Sequence, residues 1–266
     1  MRIRIVFSLQ NKGGFVPFHH QHLLAQLTRE LVNMQGELYH HFMDYNFSGL
    51  KGQTKISRKG LHFYSSKVTL VFASSRTEFV QAFLRNLFSQ TEVQVGSLIL
   101  KPEYVEEEHL PKLNEVVKYV CLSPIILTDP KVDIYQNKKF VPPQSDDFSD
   151  LLYENTLLKM EKTGNYSKEQ IASFYKFQIA PDKNYLKKIK DDDKKFARIY
   201  TIQEGGQRLE VRGYTLPFTL YAAREVQEFI FISGLGALSH KGFGMVDLAN
   251  ADAIRRTSVL LQNNEG

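Results

Sequence analysis

The sequence predicts an α+β protein in which the element order β-α-β-β-α-β occurs twice in tandem. Two observations carry this prediction: apolar periodicity switches between the strand and helix repeats through the first 100 residues, and a similar series follows residue 113. This order is the ferredoxin-like, or RNA-recognition-motif, topology. We therefore expect two ferredoxin-like domains over residues 1–112 and 113–250, and a loose polar tail over 251–266.

The first domain begins with a strand and a helix. Arg2–Leu9 alternates apolar and polar residues, which is typical of a half-buried strand. Residues 19–35 place leucines at helical spacing, and Ser75–Glu78 is a capping-box pattern that predicts the start of a second helix. Further strands are predicted at Leu61–Tyr64, at Val68–Ala73 and from Val93 to Leu100. The acidic stretch Glu103–Glu108 is interpreted as the domain boundary.

The second domain repeats this order with longer connections. Its predicted strands are Val116–Leu127 (broken at Pro124), Ile134–Val141, Phe196–Ile202, Leu209–Tyr221 and Met245–Leu248. Its predicted helices are Ser145–Met160 and Ala222–Ser233. A turn is expected at Glu204-Gly205-Gly206. The polar residues 161–195 are interpreted as an insert, and its charged part from Lys187 to Lys195 as mobile and solvated.

Composition limits the partners and the compartment. The 34 lysines and arginines exceed the 29 acidic residues, and the net charge of +5 favours an anionic partner. The single cysteine, Cys121, excludes an internal disulfide and is expected to be a buried, inert thiol. Because no apolar stretch is long enough to span a membrane, we expect a soluble cytoplasmic protein with no membrane partner.

The most distinctive segment is Gly234–Gly244, with four glycines around Ser239-His240-Lys241. Glycine permits positive φ and close backbone approach, so the segment predicts a folded-back loop that exposes N–H groups to an anion. The loop follows a predicted helix and precedes a strand. That is the reverse of the order in nucleotide-binding glycine loops, so a dinucleotide or NTP site is disfavoured.

Several segments together resemble one family. The loop Gly234–Gly244 with Met245-Val246, the tandem ferredoxin-like domains and the basic charge are similar to the CRISPR-associated endoribonucleases of the repeat-associated mysterious protein superfamily. The matching motifs are Val16-Pro17-Phe18-His19-His20-Gln21, Phe47-Ser48-Gly49-Leu50, Ser123-Pro124-Ile125-Ile126-Leu127-Thr128 and Val141-Pro142-Pro143. The resemblance covers residues 1–248.

The resemblance implies cleavage of precursor CRISPR RNA within its repeats, without a metal or other cofactor. The 2′-hydroxyl beside the scissile phosphate would attack, leaving a 2′,3′-cyclic phosphate and a 5′-hydroxyl. The implied partners are precursor and mature CRISPR RNA and a CRISPR effector complex, with the protein as a monomer or homodimer. The alternative is a non-catalytic relative that holds or delivers guide RNA. A generic tandem RNA-recognition protein ranks last, because Leu61-His62-Phe63-Tyr64 is only a faint aromatic motif.

The resemblance places the catalytic histidine where the first helix ends, at His40 or His41. Histidine titrates near neutrality and suits either proton transfer. The sequence does not choose between them, although His41 is slightly favoured, and a surface histidine pair at a helix end is the alternative. Family members carry a tyrosine in the first helix where this chain has Thr28-Arg29, so Tyr39 or Tyr45 is a substitute. Lys51 is a candidate for stabilising the transition-state charge.

The remaining candidates concern RNA binding. They are basic or loop residues expected to meet phosphates, with a solvated loop lysine as the alternative for Lys55: Arg29, His20, Lys55, Arg208, Arg212, Gly234, Gly236, Ser239, His240, Lys241, Gly242 and Gly244. Arg208 and Arg212 alternate with Leu209 and Val211, so they should share the outer face of a strand. The cluster His19, His20 and His22 has no metal-binding motif around it, and we expect no metal site.

Overall fold

The computed structural model describes residues 1–34, 36–129, 140–204, 207–250 and 254–259. The predicted strand Ile134–Val141 lies largely outside these residues, as do Gly205 and Gly206 of the predicted turn.

The first domain is built on a four-stranded antiparallel sheet with two helices on one face. In chain order its elements are β1 (Arg2–Leu9), β2 (Phe15–Val16), α1 (Gln21–Asn33), β3 (Tyr45–Phe47), β4 (Thr54–Ser57), β5 (Gly60–Phe63), β6 (Lys67–Ser74), α2 (Thr77–Phe88), β7 (Val93–Val95) and β8 (Leu98–Glu108). The order β8-β1-β6-β3 is that of a ferredoxin-like sheet. The strands β2, β5 and β4 form a separate small sheet, and β7 pairs with the outer part of β8.

The second domain repeats the architecture. In chain order its elements are β9 (Val116–Cys121), β10 (Ile125–Ile126), α3 (Asp146–Thr163), α4 (Lys168–Ser173), β11 (Phe177–Pro181), α5 (Lys183–Asp191), β12 (Ala197–Glu204), β13 (Gln207–Tyr214), β14 (Phe218–Ala222), α6 (Arg224–Ser233) and β15 (Val246–Leu248). The sheet order β15-β9-β14-β11 matches the first domain. In both domains a hairpin, β4–β5 or β12–β13, is inserted between the second and third strands and pairs with a two-residue strand.

Several local predictions are wrong. Residues 161–195 are not an insert outside the domain, because they supply β11, an edge strand of its main sheet. The predicted strand Leu209–Tyr221 is two strands in different sheets, divided at Pro217, which has no N–H to donate to a ladder. The Ser75–Glu78 capping box does not form. Arg76 is the N-cap, and the Ser75 hydroxyl donates to Asp44 instead.

The C-terminal segment is also more ordered than predicted. Residues Arg256–Val259 form β16, which pairs with β8 and extends the first sheet at its edge. The acidic stretch Glu103–Glu108 is the partner strand rather than a boundary. Glu108 is buried there and accepts hydrogen bonds from Arg2, Arg4 and Arg256.

The two domains meet along a seam, which we define as the contact between the helix-free face of the first sheet and the α6–β15 segment of the second domain. Arg2 is fully buried in this seam, where Nη1 donates to the carbonyl oxygens of Phe231 (2.9 Å) and Val246 (2.8 Å). Its Nε donates to Glu108 at 2.8 Å, and Nη2 lies 3.4 Å from Asp247. The helix-free face of the first domain is therefore covered at this end.

Candidate active site

The glycine-rich loop, Gly234–Gly244, is a packed element of the seam. Its four glycines have φ between +75° and +81°. A Cβ on Gly244 would lie 2.0 Å from the Leu235 carbonyl oxygen, and one on Gly236 would lie 2.3 Å from that of Ile126. The glycines are therefore required by backbone conformation and by close backbone contacts.

The N–H groups of this loop are used inside the protein. Leu235 donates to Gly244 (2.8 Å), Ala237 donates to Ile126 (2.9 Å) and Gly244 donates to Pro124 (2.7 Å). Gly234 and Gly242 also donate to backbone carbonyls, of Ile230 and Ser239. The expectation that these N–H groups are displayed to phosphates is wrong, because carbonyls of the loop itself, of α6 and of the segment from Pro124 to Ile126 accept them. RNA binding by Gly234, Gly236, Gly242 and Gly244 stays a prediction without that argument.

The three polar residues of the loop have different surroundings. Lys241 is buried, and its Nζ donates to the Gln203 carbonyl at 2.6 Å. Ser239 is buried, and its hydroxyl accepts from Lys159 Nζ at 3.0 Å. The structure thus corrects the idea that these two side chains point at phosphates. His240 faces the first domain, with its ring 6.4 Å from that of Tyr45.

His40 and His41 lie beyond α1 rather than on it. The helix ends at Asn33, and a 3₁₀ turn at Gly36–Tyr39 precedes the two histidines. Both side chains are exposed, and their rings meet edge-on with centroids 4.9 Å apart. The structure therefore presents two adjacent imidazoles to solvent, which is the residue type needed for paired proton transfers.

An aromatic platform, defined as the rings of Phe42 and Tyr45, follows the histidine pair. The two rings are nearly parallel with centroids 6.5 Å apart. The Arg76 guanidinium stacks on Phe42 at 4.9 Å. Burial raises the pKa of Tyr45 to about 12, although the charge of Arg29 partly opposes the increase. Tyr45 is therefore a neutral phenol at physiological pH and cannot act as a base.

Arg76 was missed in the sequence, where it appeared only inside the expected capping box. Stacking on Phe42 places its cation beside the histidine segment, and Arg29 and His240 approach the same platform through Tyr45. The sequence shows an aromatic residue, Phe42, directly after the histidine pair. It does not show that Arg76, at the start of α2, stacks on this ring. The platform gathers cationic and titratable groups from α1, the N-terminus of α2 and the glycine-rich loop.

Two predicted catalytic residues are placed differently from expectation. The half-buried Tyr39 packs its ring on Phe79 (5.0 Å) and Phe42 (5.9 Å). Lys51 pairs with Thr69 of β6, whereas Tyr45 pairs with Ser74. Five residues of strand span about 16 Å, so Lys51 lies far along the sheet from the histidine pair. This geometry does not support the prediction that Lys51 acts with the histidine pair, because the chain after β3 runs along β6 away from the two histidines.

His20 is a structural residue. It is buried, its Nε2 accepts the Leu50 N–H at 3.2 Å, and its Nδ1 lies 3.2 Å from the Pro17 carbonyl, which assigns the proton to Nδ1. Burial lowers its pKa to about 4, against the effect of the Pro17 hydrogen bond. This corrects the prediction that His20 contacts RNA, since both ring nitrogens already have partners. Its neighbour His19 instead packs against Tyr200 of the second domain, with centroids 4.4 Å apart.

The other basic candidates lie on exposed surfaces. Arg29 is exposed on α1, and Lys55 lies on the outer strand β4 with Nζ 5.0 Å from the Tyr64 ring centroid. Leu209 and Val211 are buried, so the prediction that Arg208 and Arg212 share the outer face of the strand is confirmed. The Arg212 guanidinium lies 5.7 Å from the Phe140 ring centroid. RNA contact by these residues stays a prediction.

The described residues contain neither a metal-binding cluster nor a membrane-spanning helix. Within the ranges given above, no cluster of three or more histidine, cysteine or acidic side chains has an arrangement suited to a metal ion. Among the helices of the described part of the chain, none combines the length and apolar character needed to cross a membrane.

Comparisons with known proteins agree with this architecture. The family model described as CRISPR associated protein Cas6, C-terminal, matches residues 105–248. CRISPR-associated endoribonuclease Cas6 1 from Methanocaldococcus jannaschii is 22% identical over 256 residues, covering 92% of each protein. The structure from a Cas6-related gene of Pyrococcus furiosus has a TM-score of 0.76 at 19% identity and covers 94% of this chain and 98% of its own. A RAMP protein that binds different RNA substrates has a TM-score of 0.75 at 21% identity, covering 94% and 100%. The ferredoxin-like fold and the family resemblance are confirmed.

Proposed function

Because the chain belongs to the family of CRISPR associated protein Cas6, we propose that it cuts precursor CRISPR RNA within the repeats by a metal-independent reaction at His40 and His41. In this reaction the 2′-hydroxyl attacks the adjacent phosphorus, the P–O5′ bond breaks, and the products carry a 2′,3′-cyclic phosphate and a 5′-hydroxyl. The relative from M. jannaschii is named as an endoribonuclease, which supports the reaction class.

The observation that carries the proposal is the exposed histidine pair beside the aromatic platform. One imidazole accepts the proton of the 2′-hydroxyl, and the other, protonated, donates to the departing 5′-oxygen. The ring separation of 4.9 Å allows both to reach one phosphodiester. Each positioned proton transfer contributes about 10²–10⁴-fold to the rate.

The cations around the platform suit the charge that develops on the phosphorus oxygens. Arg76 stacks on Phe42, and Arg29 acts on Tyr45 from α1. Arginine stays protonated throughout, so these residues stabilise charge and take no part in proton transfer. His240 brings a group of the second domain to the same place.

The test uses repeat RNA from the arrays next to the gene, 5′-labelled, in EDTA. We expect His40→Ala and His41→Ala each to lower the single-turnover rate by at least about 10²-fold, with RNA affinity nearly unchanged. His109→Ala, an exposed histidine at the end of β8, is the matched control and should cut normally. A 2′-deoxy substitution at the cut site should abolish cleavage, and mass spectrometry should find the cyclic phosphate.

Three results would contradict the proposal. Wild-type protein that binds the repeat but never cuts it indicates the non-catalytic alternative. Full activity in both single histidine variants places the chemistry elsewhere. Normal cleavage of the 2′-deoxy RNA rules out the internal nucleophile.

A further inference from the structure

Lys159 of α3 is a half-buried residue whose ammonium group the proposed chemistry does not use. Its Nζ donates to the carbonyl oxygens of Ser233 (2.9 Å), Gly234 (2.6 Å) and Gly236 (3.2 Å), and to the Ser239 hydroxyl at 3.0 Å. All four acceptors belong to the end of α6 or to the glycine-rich loop. An ammonium group has three protons, so these four acceptors are enough to give each proton a hydrogen-bond partner.

These contacts hold the first half of the loop against the second domain. The acceptors at Ser233 and Gly234 are carbonyls at the C-terminus of α6, where a cation is favoured by the helix dipole. The ammonium group of Lys159 also lies near Phe229, with Nζ 5.9 Å from the ring centroid. Burial lowers the pKa of Lys159 to about 7, although the charge of Asp44 partly opposes the decrease.

The same loop is held from the other side by the first domain. The Ser233 hydroxyl donates to Asp44 at 3.3 Å, and Asp44 lies between the histidine pair and Tyr45 in the chain. A Cβ on Gly234 would lie 2.0 Å from Asn46 Nδ2, which shows how closely the loop approaches β3. The loop then continues to His240, which faces Tyr45.

We propose that Lys159 is a positioning residue for RNA cleavage, which fixes the glycine-rich loop so that His240 and the histidine segment keep their relative positions across the seam. The inference rests on the proposed function for its catalytic part. The loop restraint itself is a property of the protein without RNA. Lys159 touches neither the platform nor the histidine pair in these contacts, so its effect is transmitted through the loop.

The experiment compares Lys159→Met, which keeps the length of the stem and removes the ammonium, with Lys162→Met on the exposed side of the same helix. Hydrogen exchange is measured at the amides of Leu235, Ala237 and Gly244, whose hydrogen bonds do not involve Lys159. We expect exchange at least tenfold faster in Lys159→Met and unchanged in Lys162→Met.

Cleavage is measured in the same proteins. We expect Lys159→Met to lower the single-turnover rate at least tenfold, while the Kd for uncleavable 2′-deoxy repeat RNA stays within threefold. General unfolding would weaken RNA binding as well as cleavage, so it would not produce this pattern. If Lys159→Met does not fold, Ser239→Ala removes one acceptor and should show smaller changes of the same sign. Wild-type exchange in the loop, or a cleavage rate within twofold of wild type, overturns the proposal. Absence of cleavage in the wild type itself refutes the proposed function, and the exchange rates then decide on the restraint alone.

Discussion

The steric environment of Gly242 gives a prediction that separates the packing account of the glycine-rich loop from the phosphate-clamp account. Gly242 has φ +81°, and a Cβ there would lie 2.3, 2.8 and 2.9 Å from three ring atoms of Phe47. Phe47 is fully buried and its ring is parallel to that of Phe72, with centroids 6.5 Å apart. The ring therefore has little room to move away from an added methyl group.

The expected cost of Gly242→Ala has two parts. An alanine in the left-handed region costs about 1–2 kcal/mol. Overpacking of a dense core adds about 1–3 kcal/mol, because the neighbours must move off their preferred rotamers. We expect the free energy of unfolding to fall by about 2–5 kcal/mol in total, which is a large part of the roughly 5–15 kcal/mol that stabilises a typical protein.

Gly164 provides the matched control. It has φ +69° at the end of α3, and an added Cβ would meet no atom within 4 Å. Gly164→Ala should therefore cost only the conformational part, about 1–2 kcal/mol. Urea denaturation of both variants and the wild type measures the difference, which is the steric contribution of Phe47.

Two outcomes would refute the reasoning. Equal stabilities of the two variants mean that the loop does not press on Phe47. Wild-type stability of Gly242→Ala combined with weakened RNA binding means that the loop presents its backbone to RNA, as expected from the sequence alone.

Two further predictions concern buried ionisable groups and are measured by denaturation as a function of pH. Burial alone would raise the pKa of Glu108, but Arg2 and Arg4 outweigh it and lower the pKa to about 2. Its contribution of about 3 kcal/mol is present above pH 4.5 and is lost as the pH falls towards 2. Glu108→Gln should cost about 3–5 kcal/mol at pH 7 and flatten this acid slope, and an unchanged slope would contradict the ion cluster. For His20, the native state binds fewer protons than the unfolded chain between pH 4 and 6.5, so wild-type stability should decrease as the pH is lowered from 6.5 to 4. His20→Leu should remove this dependence, cost about 1–3 kcal/mol through the unpaired Leu50 N–H, and leave RNA affinity within twofold, whereas a large loss of affinity would restore its RNA role.

The fold was predictable where burial leaves a periodic pattern. Arg2–Leu9 alternates because one face of β1 packs on the helices, and the leucines of α1 repeat for the same reason. By contrast β11 buries one residue, Ile179, out of five, so an edge strand in a polar segment gave no readable signal. Gly234–Gly244 was identified correctly as a folded-back loop, but the sequence did not show that carbonyls of the loop and of neighbouring segments accept its N–H groups.

The site was predictable only in part, because its defining contacts join distant positions. His40 and His41 were proposed from the family resemblance, whereas Arg76 reaches Phe42 from the start of α2 and had no such signal. Lys159 looked like an ordinary helix position, since its partners are backbone oxygens and leave no mark on residue type. Arg2 and Glu108 are 106 residues apart, and neither predicts the other.

Because the helix-free sheet face of the first domain is covered, it limits which surfaces of that domain are open to RNA under the proposed function. Ferredoxin-like RNA-binding domains commonly use the helix-free face of the sheet, where exposed aromatic side chains stack on bases. In the first domain the seam occupies that face: Arg2 is buried against carbonyls of the second domain, and Val71 and Ala73 pack on Met245. Sheet-face binding would require separation of the domains and exposure of the Arg2–Glu108 pair. Under the proposed function, we expect RNA at the edge of the sheet at β3, where the histidine segment, α1 and the glycine-rich loop converge. A cut made there requires that both domains keep their register, which links catalysis to the seam that holds the loop.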